Sequence, residues 1–255
     1  MLLNAKIFGE AKEKLVILHG LFGMLDNWQS LARQFSEHYQ VHILDQRNHG
    51  HSFHDDAHSY ELMAKDLKAY LDHHGIDKIH LMGHSMGGKT AMLFACLYPQ
   101  MVEKLIIIDI SPKYYAPHHQ AIISGLMDVH TSNVSSRKEA DAILQNHFSN
   151  TGIRQFLLKN LFWETKENLT FRFNLEGLAL NIENVGVPLP GGYTFKNPTL
   201  FIDGGNSDYI TDEDEDLIAD HFPDYEIMEV ADAGHWVHAE KPKELLNIVL
   251  QFLIF

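Results

Sequence analysis

Short apolar runs alternate along this chain with longer stretches in which apolar residues recur every three or four positions. "KLVILHG", "VHILD", "KIHLMG" and "KLIIIDISP" are continuous apolar runs ending in turn residues, the pattern of strands buried on both faces. Between them, residues 28–37, Tyr60–His73 and Met86–Leu97 carry helical spacing. Leu62, Leu67 and Leu71 share one side of the second, and Pro99 stops the third. "TLFIDGG" and "YEIMEVADAGH" add two late strands, and a last helix starts at Pro242. Residues 2–8 predict an antiparallel edge strand. Strands alternating with helices imply an α/β chain with a mostly parallel central sheet flanked by helices.

The alternation pauses between Pro112 and Pro198. Helical spacing there covers residues 120–129, 135–148, 151–161 and 175–185, followed by the loop "GVPLPGGY". The pattern predicts a core of residues 1–111 and 198–255, with residues 112–197 inserted as a helical cap. Reactive groups in such sheets gather at the carboxyl ends of the strands, where that insertion begins and ends.

At 255 residues the chain is long enough for one large domain. A formal net charge of -14 repels nucleic acid and anionic membranes, so neither is an expected partner. One cysteine, Cys96, allows no internal disulfide and fits a reducing compartment. No start like a signal peptide and no membrane-length apolar run is present, so a cytoplasmic location is expected. Nothing in the pattern sets an oligomeric state.

The stretch "IHLMGHSMGGKTAM" contains Gly83-His84-Ser85-Met86-Gly87, a G-x-S-x-G pentad. Such a pentad arises by chance in roughly one chain in twelve of this size, so alone it says little. Here it lies between a predicted strand and a predicted helix, the context of a nucleophile elbow. Glycines on either side remove side chains that would collide in so sharp a turn. The Met86 N–H, at the start of a helix, is then a free donor for an oxyanion.

A serine needs a base. Among 18 histidines, His235 stands out, because it follows the strand "YEIMEV" at its carboxyl end. His238 reads as structural, and His84 as a locally packed residue. The orienting acid has two good candidates. Asp109 ends "LIIIDISP", where an unpaired carboxylate would be costly, and Asp208 lies in "FIDGGNSDY". Asp203 is a weaker third. "LHGLFG" offers the second oxyanion donor, from the N–H of Leu21 or of Phe22.

The segments "LHGLFG", "LDQRNHGHS", "MGHSMGG", "IDISP", "GGNSDY" and "AGHWVHAEKP" together resemble the α/β-hydrolase superfamily over essentially the whole chain. Within it they look like the branch of YbfF-type bacterial esterases and their mitochondrial relatives. That resemblance implies the α/β-hydrolase fold with a small helical cap. It implies hydrolysis of small-molecule carboxylic esters or acyl-CoA thioesters, and it places the triad acid at Asp109. The expected mechanism is an acyl-enzyme on Ser85 with His235 as base, which requires no metal and no organic cofactor.

Phe156, Leu157, Leu161 and Phe162 are expected to line the substrate pocket, with Phe148 and Trp163 as further candidates. A net charge of -14 opposes binding of the anionic CoA; Lys113, Arg137, Lys138, Arg154, Lys159 and Arg172 concentrate positive charge in and beside the cap and would offset this locally, so simple esters are the expected substrates and acyl-CoA thioesters the alternative. Two rivals remain. One is carbon–carbon bond hydrolysis or lyase chemistry on the same triad. The other is a metal-dependent hydrolase at His49, His51 and His54 of "NHGHSFHDD", where Phe53 stands in place of the aspartate an H-x-H-x-D-H site needs.

Overall fold

The computed structural model describes residues 1–116, 119–166 and 169–254. Nine strands are present among them: β1 (Ala5–Phe8), β2 (Lys14–Leu18), β3 (Gln40–Leu44), β4 (Ile79–His84), β5 (Val102–Ile108), β6 (Leu161–Trp163), β7 (Leu169–Phe171), β8 (Thr199–Gly204) and β9 (Tyr225–Val230). The helices are α1 (Gln29–Phe35), α2 (Tyr60–His73), α3 (Met86–Leu97), α4 (Gln120–Thr131), α5 (Arg137–Gln145), α6 (Thr151–Leu158), α7 (Leu175–Leu180), α8 (Ile182–Val185), α9 (Glu215–His221), α10 (Val237–Glu240) and α11 (Pro242–Ile254).

Seven strands form one sheet in the order β1-β3-β2-β4-β5-β8-β9. Only β1 runs antiparallel, against β3. Alternation along each strand divides the core. Val16, Leu18, Leu81 and Ile107 pack on the side of α2 and α3. Leu15, Ile17, Met82 and Ile106 pack on the side of α1 and α11. A sheet covered on both faces needs strands apolar at every position, which is what the continuous runs encode.

Strand order reverses between β2 and β4, so the crevice outside their carboxyl ends is a switch point. Register brings those ends level. Leu18 pairs with Gly83, His84 with Ile108, Ile108 with Ile202, and Gly204 with Val230. The residues that follow, from His19, Ser85, Asp109 and Ala231 onward, therefore emerge along one edge of the sheet.

The segment between β5 and β8 departs in detail from its helical reading. Helix α6 ends at Leu158, and the chain turns into a two-stranded hairpin of β6 and β7. The Arg137 guanidinium donates to the Leu158 carbonyl, an acceptor the end of α6 leaves open, and to the Leu161 carbonyl at the start of β6. The Asn160 carbonyl accepts from Arg172 N–H at 3.0 Å, extending the ladder one position beyond the Leu161–Phe171 pair. The helix expected over residues 28–37 is α1, which spans Gln29–Phe35 and follows a 3-10 turn at Leu25–Trp28, and α9 has no counterpart in the sequence reading. Among the described residues no helix is long and apolar enough to cross a membrane.

Candidate active site

Ser85 links β4 to α3 with φ 53° and ψ −118°, a conformation costly for a residue bearing a side chain. It is over-determined from both sides. The Ser85 N–H donates to the Ile108 carbonyl at 3.0 Å, and its carbonyl accepts from Lys89 N–H at 3.0 Å. The glycines act through close approach. A Cβ on Gly83 would lie 2.2 Å from the Gly87 carbonyl oxygen, and one on Gly87 would lie 2.5 Å from the Leu18 carbonyl oxygen.

His235 follows β9 through a turn. Its Nε2 accepts from the Ser85 hydroxyl at 3.0 Å, and its Nδ1–H donates to Asp109 Oδ2 at 2.6 Å. Asp109 follows β5 at φ 49° and is fully buried. Its carboxylate also accepts from Gly204 N–H at 2.9 Å and from the Ser207 hydroxyl at 2.6 Å. Tyr209 stacks on the imidazole, with ring centroids 3.9 Å apart. Asp208 is exposed, and the partner of His235 Nδ1 is Asp109 instead. Asp203 is half-buried beside Asp109; burial and that neighbouring carboxylate push its pKa up to about 7.

Two other histidines beside the site are pushed toward the neutral form. His84 is held well below the usual imidazole range, chiefly by burial, and its Nε2–H donates to the His235 carbonyl at 2.8 Å. His238 stacks on Trp28, and burial lowers it to about 3.

Of the two loop donors, Phe22 is already committed. Its N–H donates to His49 Nε2 at 3.1 Å, so it does not face the serine turn as a free donor. Among the described residues, neither Leu21 N–H nor Met86 N–H has a protein acceptor. The same contact corrects the metal reading. His49 uses both ring nitrogens, since Nδ1–H donates to the Arg47 carbonyl at 2.9 Å. His51 is exposed, and His54 Nε2–H donates to the Arg172 carbonyl at 3.1 Å. Among the described residues no group of three His, Cys, Asp or Glu side chains is arranged to hold a metal.

A cavity of about 180 Å³ opens on Ser85 and His235. Its apolar wall comes from Leu21, Ile122, Ile153, Phe156, Leu157 and Trp236. Leu161 and Phe162 do not reach it. Leu161 is buried in the hairpin core, and Phe162 lies under the Arg172 guanidinium, 4.4 Å from it, beside a separate surface cleft. The α6 helix stops before them, so they leave along the hairpin. Phe148 packs into the core and Trp163 is exposed. Ile122, Ile153, Trp236, Tyr209 and Ser207 escaped the sequence reading. Ser207 and Tyr209 lie within "GGNSDY" and Trp236 within "AGHWVHAEKP", whereas Ile122 and Ile153 carry no local signal.

Residues 14–133 match the family described as the alpha/beta hydrolase fold. The chain is 38% identical over 240 residues to "Esterase YbfF" of Escherichia coli, covering 94% of this chain and 92% of that one. It is 40% identical over 247 residues to the "sn-1-specific diacylglycerol lipase ABHD11" of Mus musculus, covering 94% and 80% respectively. A solved structure titled "Marine microorganism esterase" superposes with a TM-score of 0.95 at 40% identity, covering 98% of this chain and 99% of that one. With its sheet order, its strand-end serine turn and these relatives, the chain belongs to the α/β-hydrolase superfamily, in the branch of the YbfF-type esterases.

Proposed function

We propose that this protein is a carboxylic ester hydrolase that carries the acyl group on Ser85. The observation behind this reading is the unbroken hydrogen-bond chain from Ser85 through His235 to Asp109 at the foot of an apolar cavity. With Nδ1–H held by Asp109, the His235 Nε2 lone pair faces the serine hydroxyl. As Ser85 Oγ bonds to the acyl carbon, its proton passes to Nε2. The carbonyl oxygen becomes an oxyanion, for which the Leu21 and Met86 N–H groups are the available donors. Collapse breaks the bond to the leaving alcohol, which takes that proton. Water then adds to the acyl-enzyme by the same route and releases the acid.

The cavity wall contains no lysine or arginine among the described residues, so it offers no cation to a substrate carboxylate. This favours an uncharged ester over the diketone acids of carbon–carbon hydrolases. Three of the six basic residues in and beside segment 112–197 that could attract a CoA ester are held by internal partners. Lys113 pairs with Asp214 at 2.6 Å, Arg154 with Asp141 at 2.8 Å, and Arg137 binds carbonyls. With a net charge of -14, that leaves little to attract CoA. Segment 112–197 serves in this reading as the cap, since Ile122, Ile153, Phe156 and Leu157 wall the cavity.

The test is hydrolysis of a neutral aryl ester by wild type and Ser85→Ala. Loss of about 10⁴-fold or more in kcat with the fold intact supports the proposal. Retention of wild-type turnover overturns it.

A further inference from the structure

The cavity above Ser85 does not end at its apolar wall. It runs into an outer cleft of about 420 Å³, and four side chains border both spaces: Asn27, Phe156, Trp236 and His238. They form a neck. Phe156 and Trp236 are its apolar pair, with ring centroids 5.9 Å apart. Asn27 and His238 are its polar pair, and each has hydrogen-bonding capacity that the protein leaves open.

His238, in α10, is only 7% exposed, and its ring is clamped. It stacks on Trp28 at 4.5 Å and meets the His84 ring edge-on at 4.8 Å. Among the described residues neither of its ring nitrogens has a protein hydrogen-bond partner, and Nδ1 is sealed from solvent. Nε2 is not sealed, and the ring borders both cavity and cleft, so Nε2 faces the neck. Burial keeps the ring neutral, with one proton to place. A sealed N–H would lose its hydrogen bond outright, so the proton belongs on Nε2, where a partner can reach it. Asn27 lies in the 3-10 turn at Leu25–Trp28. Its Oδ1 accepts from Met24 N–H at 2.8 Å, which fixes the orientation of the amide. The group it has left to offer is Nδ2–H, which has no protein acceptor among the described residues.

Two neutral N–H donors at one neck suit an uncharged acceptor oxygen. We infer that the neck is a subsite for a second oxygen of the substrate: Asn27 Nδ2–H and His238 Nε2–H donate to a keto, ether or ester oxygen set several bonds from the scissile ester, and the chain continues between Phe156 and Trp236 into the cleft. The substrate class is neutral esters with a second oxygen function. The His84 ring packs against both His235 and His238, at 4.7 and 4.8 Å, which bounds the distance from triad to neck at two ring spacings. Lys159 lines the cleft and not the cavity, and the Glu240 carboxylate there accepts from Gly234 N–H. The inference rests on Ser85 acting as nucleophile at this cavity and adds what the cavity recognises besides the ester.

The test moves one keto group along two ester series. In octyl butanoate it takes carbons 4 to 7 of the alcohol chain; in ethyl octanoate it takes carbons 4 to 7 of the acid chain. Each kcat/KM is divided by that of the parent ester. Against the apolar wall a ketone loses its hydrogen bonds to water, and the ratio is expected to fall about tenfold. At one position in one series the oxygen meets the neck, and the ratio is expected to return to the parent's value or above. The series in which this happens tells whether the acid or the alcohol lies toward the neck. His238→Phe keeps a ring and removes Nε2–H, and Asn27→Asp keeps the acceptor for Met24 N–H and removes Nδ2–H. Each is expected to lower that maximum at least about threefold. A wild-type ratio without a maximum in either series overturns the inference, as does a maximum that survives either substitution. So does faster turnover of the monoethyl ester of octanedioic acid than of every ketone, which would assign the subsite to an anion and Lys159. If His238→Phe fails to fold, the wild-type series and Asn27→Asp still decide. Failure of the nucleophile reading looks different: Ser85→Ala would still hydrolyse the parent esters.

Discussion

Two residues of the site, Ser85 and Asp109, hold positive φ angles without being glycine. Such backbone is kept only where neighbours fix it, and here each is fixed by a bond to the adjacent strand: Ser85 N–H to Ile108 and Asp109 N–H to Ile202 at 2.8 Å. The choice of acid follows at this scale. Asp109→Asn is expected to lower kcat by about 10³–10⁴, because the imidazole loses its tautomer and its charge partner. Asp208→Asn, at an exposed position, is expected to stay within about twofold of wild type. The reverse pattern in steady-state kinetics would put the acid at Asp208. Ser207→Ala removes one of the three donors on Asp109 and is expected to cost about tenfold in kcat, with KM little changed. The serine and histidine were legible because each sits in a short motif at a strand end. The commitment of Phe22 to His49 was not, since it joins residues 27 positions apart through the folding of two loops.

Among elements, the strands and the helices facing the sheet were readable because periodicity reports burial directly. Tyr60–His73 and Met86–Leu97 have the bounds their spacing predicts. The "LFW" of β6 was not readable: three apolar residues continuing a helical stripe carry no period of their own. The cavity wall escaped for a similar reason, since which face of α4 or α6 meets Ser85 depends on how the insertion docks. Lys89 fixes part of that docking. It is buried in α3, lies 4.9 Å from the Tyr115 ring, and donates to the Lys113 and Val187 carbonyls, one near each end of the insertion. Lys89→Met removes the donor to two partly exposed carbonyls, at about 1 kcal/mol each. The expected result is a thermal midpoint lowered by several degrees and faster proteolysis within residues 112–197. An unchanged midpoint and digestion pattern would show that Lys89 does not hold the insertion.

At the scale of the whole molecule, several histidines are buried and neutral. Burial lowers His42 and His58 to about 4 and His238 to about 3. An unfolded histidine protonates near pH 6.5, well above these folded values. Between those limits the unfolded chain binds more protons, so stability is fully present above about pH 6.5 and falls as pH drops toward 4. Thermal melts are expected to show a midpoint that declines between about pH 6.5 and 5, the several buried rings outweighing Asp203, whose raised pKa acts in the opposite direction over the same range. A midpoint constant over that window would mean the buried rings are not held neutral. The central claim is also molecular in scale, because β4, β5 and β9 each deliver one member of the Ser85, Asp109 and His235 set to the same edge of the sheet. The most direct test is intact-mass and peptide-mapping mass spectrometry after reaction with a fluorophosphonate, with ester hydrolysis followed in parallel. The account predicts one covalent adduct, on Ser85, formed in proportion to lost activity; an adduct elsewhere, or full activity after Ser85 is modified, would contradict it.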